Sequence, residues 1–227
     1  MDIWCKRIPD LITEKWYVPS QNYHIDTGYG ADHYSSGKSQ GCGGTGILKN
    51  DSIYFSHPFY DWKIIANGPI RTVFELKFTG WAFHKSIVET KRMTLDAGYY
   101  FNKIESSYNS DMVSLGYKHA EGFVQRDDSE TQIEKDLGWI ASWESLAEGK
   151  GNLGVGFIAL PSDILEIKNI NNHVVSIMQP KSAIGISYYT GAAWDKFGSV
   201  TSKKDWISFV EHRTTFIKNP CKITFKE

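Results

Sequence analysis

The chain has 227 residues, 41% hydrophobic and 22% charged, which is the composition of a packed globular protein and excludes a disordered one. The net charge of −1 with Lys and Arg scattered along the chain shows no basic patch for nucleic acid. No apolar run approaches the ~20 residues that a membrane-crossing helix needs.

Met1 is followed by Asp2, Trp4 and Lys6 rather than a basic segment and an apolar core, so these residues do not read as a signal peptide. One or two helical turns are expected over Leu11 to Trp16. The stretch from Tyr23 to Tyr34 carries two His, two Asp and three Tyr in twelve residues, and a glycine-rich run to Gly46 follows it. A loop of that length without apolar periodicity is usually functional or disordered, and its tyrosines and histidines argue against disorder. The run Gly41-Cys-Gly-Gly-Thr-Gly46 lacks the Lys-Ser/Thr pair of a phosphate loop and reads as a sharp turn or a close backbone approach.

Beyond it, strand patterns dominate. Ile70 to Phe78 alternates, with Phe74, Leu76 and Phe78 on one face and Val73, Glu75 and Lys77 on the other. Ser86 to Asp96 and Tyr100 to Tyr108 follow around an Asp96-Ala-Gly98 turn, and further strands are expected near 113–118, 137–143, 153–160, 173–179 and 183–190. Ser202 and Asp205 open one amphipathic helix with Trp206, Phe209, Val210 and Ile217 on a stripe, and Asn219-Pro220 ends it. Lys222 to Lys226 alternates as a closing strand. Period-two runs without alternating helices predict an all-β protein: an antiparallel β-sandwich with one C-terminal amphipathic helix, as one domain over 1–227. Three cysteines, Cys5, Cys42 and Cys221, allow at most one disulfide and show no metal-ligand spacing.

The candidate chemistry lies in the Tyr23–Tyr34 stretch. His24 and His33 titrate near neutral pH, and Tyr23, Tyr29 and Tyr34 can donate a proton. His24, Asp26, Asp32 and His33 together offer mixed ligands for Zn, Mn or Fe, but at no fixed spacing, so no metal or other cofactor is assigned. The bland alternative is a structural loop whose Asp and Tyr side chains bond their own backbone. Arg71, Lys91 or Arg92 can clamp an anion. Lys91 and Arg92, adjacent in a strand, must point to opposite faces. Trp194 at a strand end suits a sugar-stacking platform and equally a core plug. The aromatic content of 14% fits either use.

Asp2-Ile-Trp-Cys-Lys-Arg7, His24-x-Asp-x-Gly-x-Gly-x-Asp-x-Tyr34, Gly43-Gly-Thr-Gly46, Ala66-Asn-Gly-Pro-Ile-Arg-Thr-Val-Phe-Glu75 and Glu89-Thr-Lys-Arg-x-Thr-Leu-Asp-Ala-Gly98 resemble a domain-of-unknown-function family common in Bacteroidetes polysaccharide-utilisation clusters. That resemblance implies a supersandwich-like protein, periplasmic or extracellular, handling uronate oligosaccharides. Its members extend upstream of the Asp-Ile-Trp motif. The implied activity is that of a hydro-lyase (dehydratase) that removes water from a terminal uronic acid by β-elimination. Residue chemistry then assigns His24 as base, Tyr34 as acid and Arg92 to the substrate carboxylate, with Tyr23, Asp26, Tyr29, Asp32, His33, Arg71, Lys91 and Trp194 binding substrate. A non-catalytic carbohydrate-binding protein and a glycoside hydrolase using Asp26 and Asp32 are the alternatives.

Overall fold

The computed structural model describes every residue except 11–12, 83, 148, 180–184, 223 and 225–227. In chain order the elements are β1 (Cys5–Lys6), α1 (Thr13–Trp16), β2 (Gly30–Ala31), β3 (Cys42–Lys49), β4 (Ser52–Tyr54), β5 (Asp61–Asn67), β6 (Arg71–Phe78), β7 (Glu89–Asp96) and β8 (Phe101–Tyr108). There follow β9 (Lys118–Val124), β10 (Ser129–Glu134), β11 (Trp139–Leu146), β12 (Gly151–Ile158), β13 (Ile164–Ile170), β14 (His173–Met178), β15 (Ile186–Trp194) and α2 (Lys203–Lys218). All pairings are antiparallel. A large sheet in the order β10-β11-β12-β15-β8-β7-β6-β5 packs against a small one in the order β13-β14-β9-β3-β4, and β1-β2 forms a short separate ladder. The chain is therefore the expected all-β sandwich with a C-terminal helix.

Alternation decides which residues meet between the sheets. On β12, Leu153, Val155 and Phe157 join the main core with Phe123 and Val174 of the small sheet. The opposite face of β12 receives α2. Gly154 and Gly156 leave room there for the Trp206 indole, and a Cβ on Gly154 would lie 2.7 Å from that ring. Ser202 caps α2 by accepting from the Asp205 amide, and Trp206, Val210 and Thr214, spaced by four, form its buried stripe. Trp206 stacks on Phe101 at 5.6 Å.

Several expectations change in detail. Residues 113–118 are not a strand before Lys118. The Asp111 carboxylate takes the Val113 and Ser114 amides and the Ser114 hydroxyl, which curls the chain into a turn, and the strand begins at Lys118. Gly41–Gly46 forms the bulged start of β3, where Gly43 adopts a positive φ of 68° and its carbonyl accepts from Tyr188. The expected closing strand over 222–226 falls largely outside the described residues. So do residues 11 and 12 of the first helix, of which the single turn Thr13–Trp16 is described. The three cysteines are free thiols.

The space between the sheets is not uniformly apolar. Glu89, Lys91 and Ser106 on the large sheet and His119, Glu121 and Ser176 on the small one are all under 5% exposed. Glu89 accepts from Thr45 at 2.9 Å and Tyr108 at 3.3 Å, and the Lys91 ammonium lies 3.8 Å away. Tyr108 meets His119 Nδ1 at 3.2 Å, and that nitrogen is 3.6 Å from Glu121. His119 Nε2 and the hydroxyls of Ser106 and Ser176 have no hydrogen-bond partner among the described residues, and the Glu121 carboxyl has the Tyr188 hydroxyl beside it. Burial above all holds the Glu121 carboxyl well above its ordinary pKa and brings His119 down to about 4.

Candidate functional site

The Tyr23–Tyr34 segment is tied to the N-terminal strand. Cys5 pairs with Ala31 and Lys6 with Gly30, and the Arg7 amide donates to the Tyr29 carbonyl. Asp26 locks the bend. One carboxylate oxygen accepts from the Gly28 and Gly30 amides, and the other takes Arg7 Nε at 2.5 Å. Partial burial opposes its charge, but the two amides and Arg7 outweigh that and hold its pKa below the usual carboxylate value. Gly28 and Gly30 have φ near +100°, which admits the sharp turn that aims both amides inward.

Arg7 connects this bend to the sheet. Its guanidinium lies 4.6 Å over the Trp194 ring, at the end of β15. Trp194 is pinned by its Nε1 donating to the Lys150 carbonyl at 2.8 Å. His33 meets the same indole edge-on at 5.6 Å, with neither ring nitrogen hydrogen-bonded. Burial first, then the nearby Lys150 charge, keeps the His33 pKa below its ordinary value, so the ring is neutral at neutral pH. Asp195, next in sequence, takes the Asn152 amide on one oxygen and leaves the other without a partner.

Tyr34 goes deeper. It is 1% exposed, its hydroxyl has no partner, and Arg126 stands 4.8 Å over its ring. Arg126 also contacts Glu144 at 3.1 Å and donates to the Ser35 carbonyl at 2.9 Å. Glu144 is registered with Leu153, and Leu153 with Trp194, so the carboxyl and the indole share one row of the large sheet's inner face. Burial raises the pKa of both Tyr34 and Glu144. Cys5 lies among these groups: burial, and then Asp32, Glu144 and Asp195, push its thiol up to about 12. It is a core residue and not a nucleophile.

The other expected residues are distributed as follows. His24 Nδ1 contacts the Asp32 carbonyl at 3.2 Å and its carboxylate at 3.6 Å, and the His24 side chain is 58% exposed. Burial and the Asp2 charge raise the Asp32 pKa. Tyr23 stacks on Trp4 and abuts His24, while Tyr29 lies under the Lys15 ammonium. These two tyrosines hold the loop together. Lys91 is enclosed in the polar layer between the sheets. Arg71 and Arg92 stand on the outer face of the large sheet, paired with Asp96 and Glu75. Strand alternation bars them from the group around Tyr34 and Trp194, which corrects their expected place beside that group. Arg7, Arg126, Glu144 and Asp195 were not singled out by sequence. Arg7 and Trp194 are 187 positions apart in the numbering, and they meet because β1, paired with β2, packs beside β15 with Cys5 in the same core as Trp194. Among the described residues, no group of three or more His, Cys, Asp or Glu is arranged to hold a metal. No helix there is long and apolar enough to cross a membrane.

The family model for a domain of unknown function, DUF4861, matches residues 1–223. The chain belongs to the DUF4861 family. A DUF4861 chain is thus seen here as a sandwich whose N-terminal motifs close over one end of the large sheet. "Uncharacterized protein P7" of Formosa agariphila, one of the Bacteroidetes, is 30% identical over 241 residues. The match covers 100% of this chain and 58% of that relative, so the chain spans little more than half the relative's length. No solved structure matches the chain.

Proposed function

We propose that this DUF4861 chain is a carbohydrate-active protein whose site is the sandwich end formed by Arg7, His33, Tyr34, Arg126 and Trp194, and that it removes water from a terminal uronic acid of an oligosaccharide. The observation that carries this reading is the gathering of Arg7, Lys150 and Arg126 around the Trp194, His33 and Tyr34 rings. Aromatic rings suit the C–H faces of a pyranose, and guanidinium groups suit its carboxylate.

The chemistry assigns each group a task. Arg7, a third exposed on its side chain and held flat on Trp194, meets the substrate carboxylate and offsets the charge that grows when the neighbouring C5 proton leaves. His33 takes that proton. It is preferred to His24 because its ring is neutral, unpartnered and against Trp194, whereas the His24 ring is set on Tyr23 and Asp32. Electrons from the C5–H bond form the C4–C5 double bond as the C4–O bond breaks. Tyr34, whose burial keeps it protonated, gives its proton to the departing hydroxyl, which leaves as water. The Tyr34 hydroxyl and both His33 nitrogens are enclosed, so the scheme requires the segment around them to open and admit the sugar. Asp26 serves this scheme by positioning Arg7, and its three fixed hydrogen bonds suit it poorly to the carboxylate chemistry of a hydrolase.

The test is incubation of the protein with saturated, uronate-ended oligosaccharides while the ultraviolet absorbance of an unsaturated uronate is followed. Product that forms with wild type and is lost in His33→Ala supports the assignment. Tight binding without any unsaturated product assigns the same residues to a non-catalytic sugar-binding protein instead.

A further inference from the structure

Arg71 and Arg92 belong to a different feature, a groove of about 460 Å³ on the outer face of the large sheet, walled on one side by α2. Four cations line it, Arg71, Arg92, Lys103 and Arg213, against two carboxylates, Asp96 and Glu105. Three of the cations are matched one for one. Arg71 holds Asp96 through two hydrogen bonds, Arg92 holds Glu75 from the neighbouring strand at 3.0 Å, and Lys103 holds Glu105 at 2.7 Å.

Arg213 is the remainder. It comes from α2, half-buried, and none of the ion pairs formed among the described residues in the groove uses it; its charge reaches Asp96, whose carboxylate Arg71 already holds. Its guanidinium lies 4.1 Å over the Tyr99 ring and 5.6 Å from that of Tyr189, and its Nε is enclosed without a hydrogen-bond partner. Two rings fix its plane, so its donors are oriented before any ligand arrives. Partial withdrawal of such a cation from water is costly, and an oxyanion seated beside it offsets that cost.

We infer that this groove is a second binding site, separate from the sandwich end, for a carboxylate carried on an acidic saccharide chain, with Arg213 as the group that reads it. The saccharide class rests on the function proposed above; the oxyanion does not, because the unmatched guanidinium alone selects for it. The large sheet lies between this groove's lining and the Trp194 side of the sandwich, since Trp194 faces inward and Tyr189 and Arg92 outward. A long chain could therefore be held at the groove without any contribution from the sandwich end.

Titration calorimetry with an oligouronate tests this at low salt, on wild type and on an Arg7→Gln/Trp194→Ala variant that disables the sandwich end. Binding is expected to persist in that variant and to weaken about tenfold when Arg213→Gln is added, the usual worth of one charge-assisted contact. A sulfated oligosaccharide and inorganic sulfate distinguish the source of the oxyanion. Competition only by uronates supports the carboxylate, whereas equal competition by sulfate shows a general oxyanion site and overturns the carboxylate assignment. A neutral oligosaccharide that binds as well as the uronate overturns the inference outright, as does Arg213→Gln with unchanged affinity. Should Arg213→Gln lose its thermal transition, Arg213→Lys, which keeps the charge without the planar fork, carries the same comparison. Turnover is read separately: an inactive wild type that still binds through Arg213 leaves this site standing while the dehydratase reading fails.

Discussion

Arg7 lies 4.6 Å over Trp194 while its Nε holds Asp26, so one guanidinium joins the N-terminal strand, the Tyr23–Tyr34 bend and the end of β15. Planarity is what allows both contacts, because a guanidinium stacks and forks in a way that an ammonium does not. Arg7→Lys is therefore expected to weaken uronate affinity almost as much as Arg7→Gln, about tenfold in each case. Trp194→Ala removes the platform and lowers affinity for charged and neutral sugars alike. Calorimetric titration of the three variants with a uronate and with its neutral parent sugar checks this. If Arg7→Lys keeps wild-type affinity, charge alone suffices and the stacked geometry has no role in recognition.

The two histidines of the segment have opposite surroundings, and this separates their expected effects. His33→Ala removes the proposed base and is expected to cut turnover by roughly two to four orders of magnitude. His24→Ala removes an exposed ring on the loop and is expected to change turnover less than about tenfold. Initial rates under saturating substrate decide between them. The reverse ranking would return the base to His24.

Packing of α2 on β12 depends on the absence of a side chain at Gly154. An added methyl at that position pushes into the Trp206 indole, a ring that is fully buried and stacked on Phe101. Gly154→Ala is expected to destabilise the fold by roughly 1–3 kcal/mol, the usual cost of overpacking a filled core. Trp206→Ala is expected to cost about 3–5 kcal/mol through the cavity it leaves. The double variant should cost less than the sum, because the methyl then enters the space the indole vacated. Denaturant unfolding of the three proteins measures this, and strict additivity would show that the two residues do not share that space.

Much of this architecture was legible in the chain because it depends on local periodicity. The alternation from Arg71 to Phe78 assigned both faces of β6, and the four-residue spacing of Trp206 and Val210 located α2. β3, β4 and β5 were not read: Gly43 and Gly44 erase the period-two signal in β3, β4 has only three residues, and β5 is an exposed edge strand whose residues do not alternate. The site was half legible. The Tyr23–Tyr34 segment stands out by composition, and it does supply His33, Tyr34 and Asp26. Arg7 ends the Asp2–Arg7 motif but nothing local marks it as a partner of Trp194, and Arg126 and Glu144 are single charged residues in unremarkable surroundings; β1-β2 pairing brings in the first and the register of β11 with β12 places Glu144. Arg92 shows the limit of residue chemistry. Its type suited a carboxylate clamp, but its parity in β7 puts it on the outer face.

The buried layer between the sheets gives the fold a pH dependence with two opposed parts. His119 has its pKa brought from 6.5 to about 4 by burial, so the folded state stays neutral where the unfolded chain takes up a proton. Its contribution is a loss of stability as pH falls from about 6.5 toward 4, up to roughly 3 kcal/mol and constant below that. Glu121 acts with the opposite sign. Burial raises its folded pKa well above 4.5, with Lys91 working against the shift and Glu89 adding to it. The unfolded carboxyl ionises first, and stability is lost as pH rises past 4.5 toward the folded value. Glu121→Gln keeps a neutral side chain of the same shape and should be close to neutral in effect near pH 4 to 5. It should become steadily more stabilising relative to wild type as pH rises to 8. His119→Asn should instead flatten the decline on the acid side. Denaturant unfolding of wild type and both variants at several pH values between about 4 and 8 gives the differences directly. A Glu121→Gln effect that is the same at every pH would mean that the carboxyl keeps its ordinary pKa inside the sandwich, with a counter-charge supplied by a closer approach of Lys91.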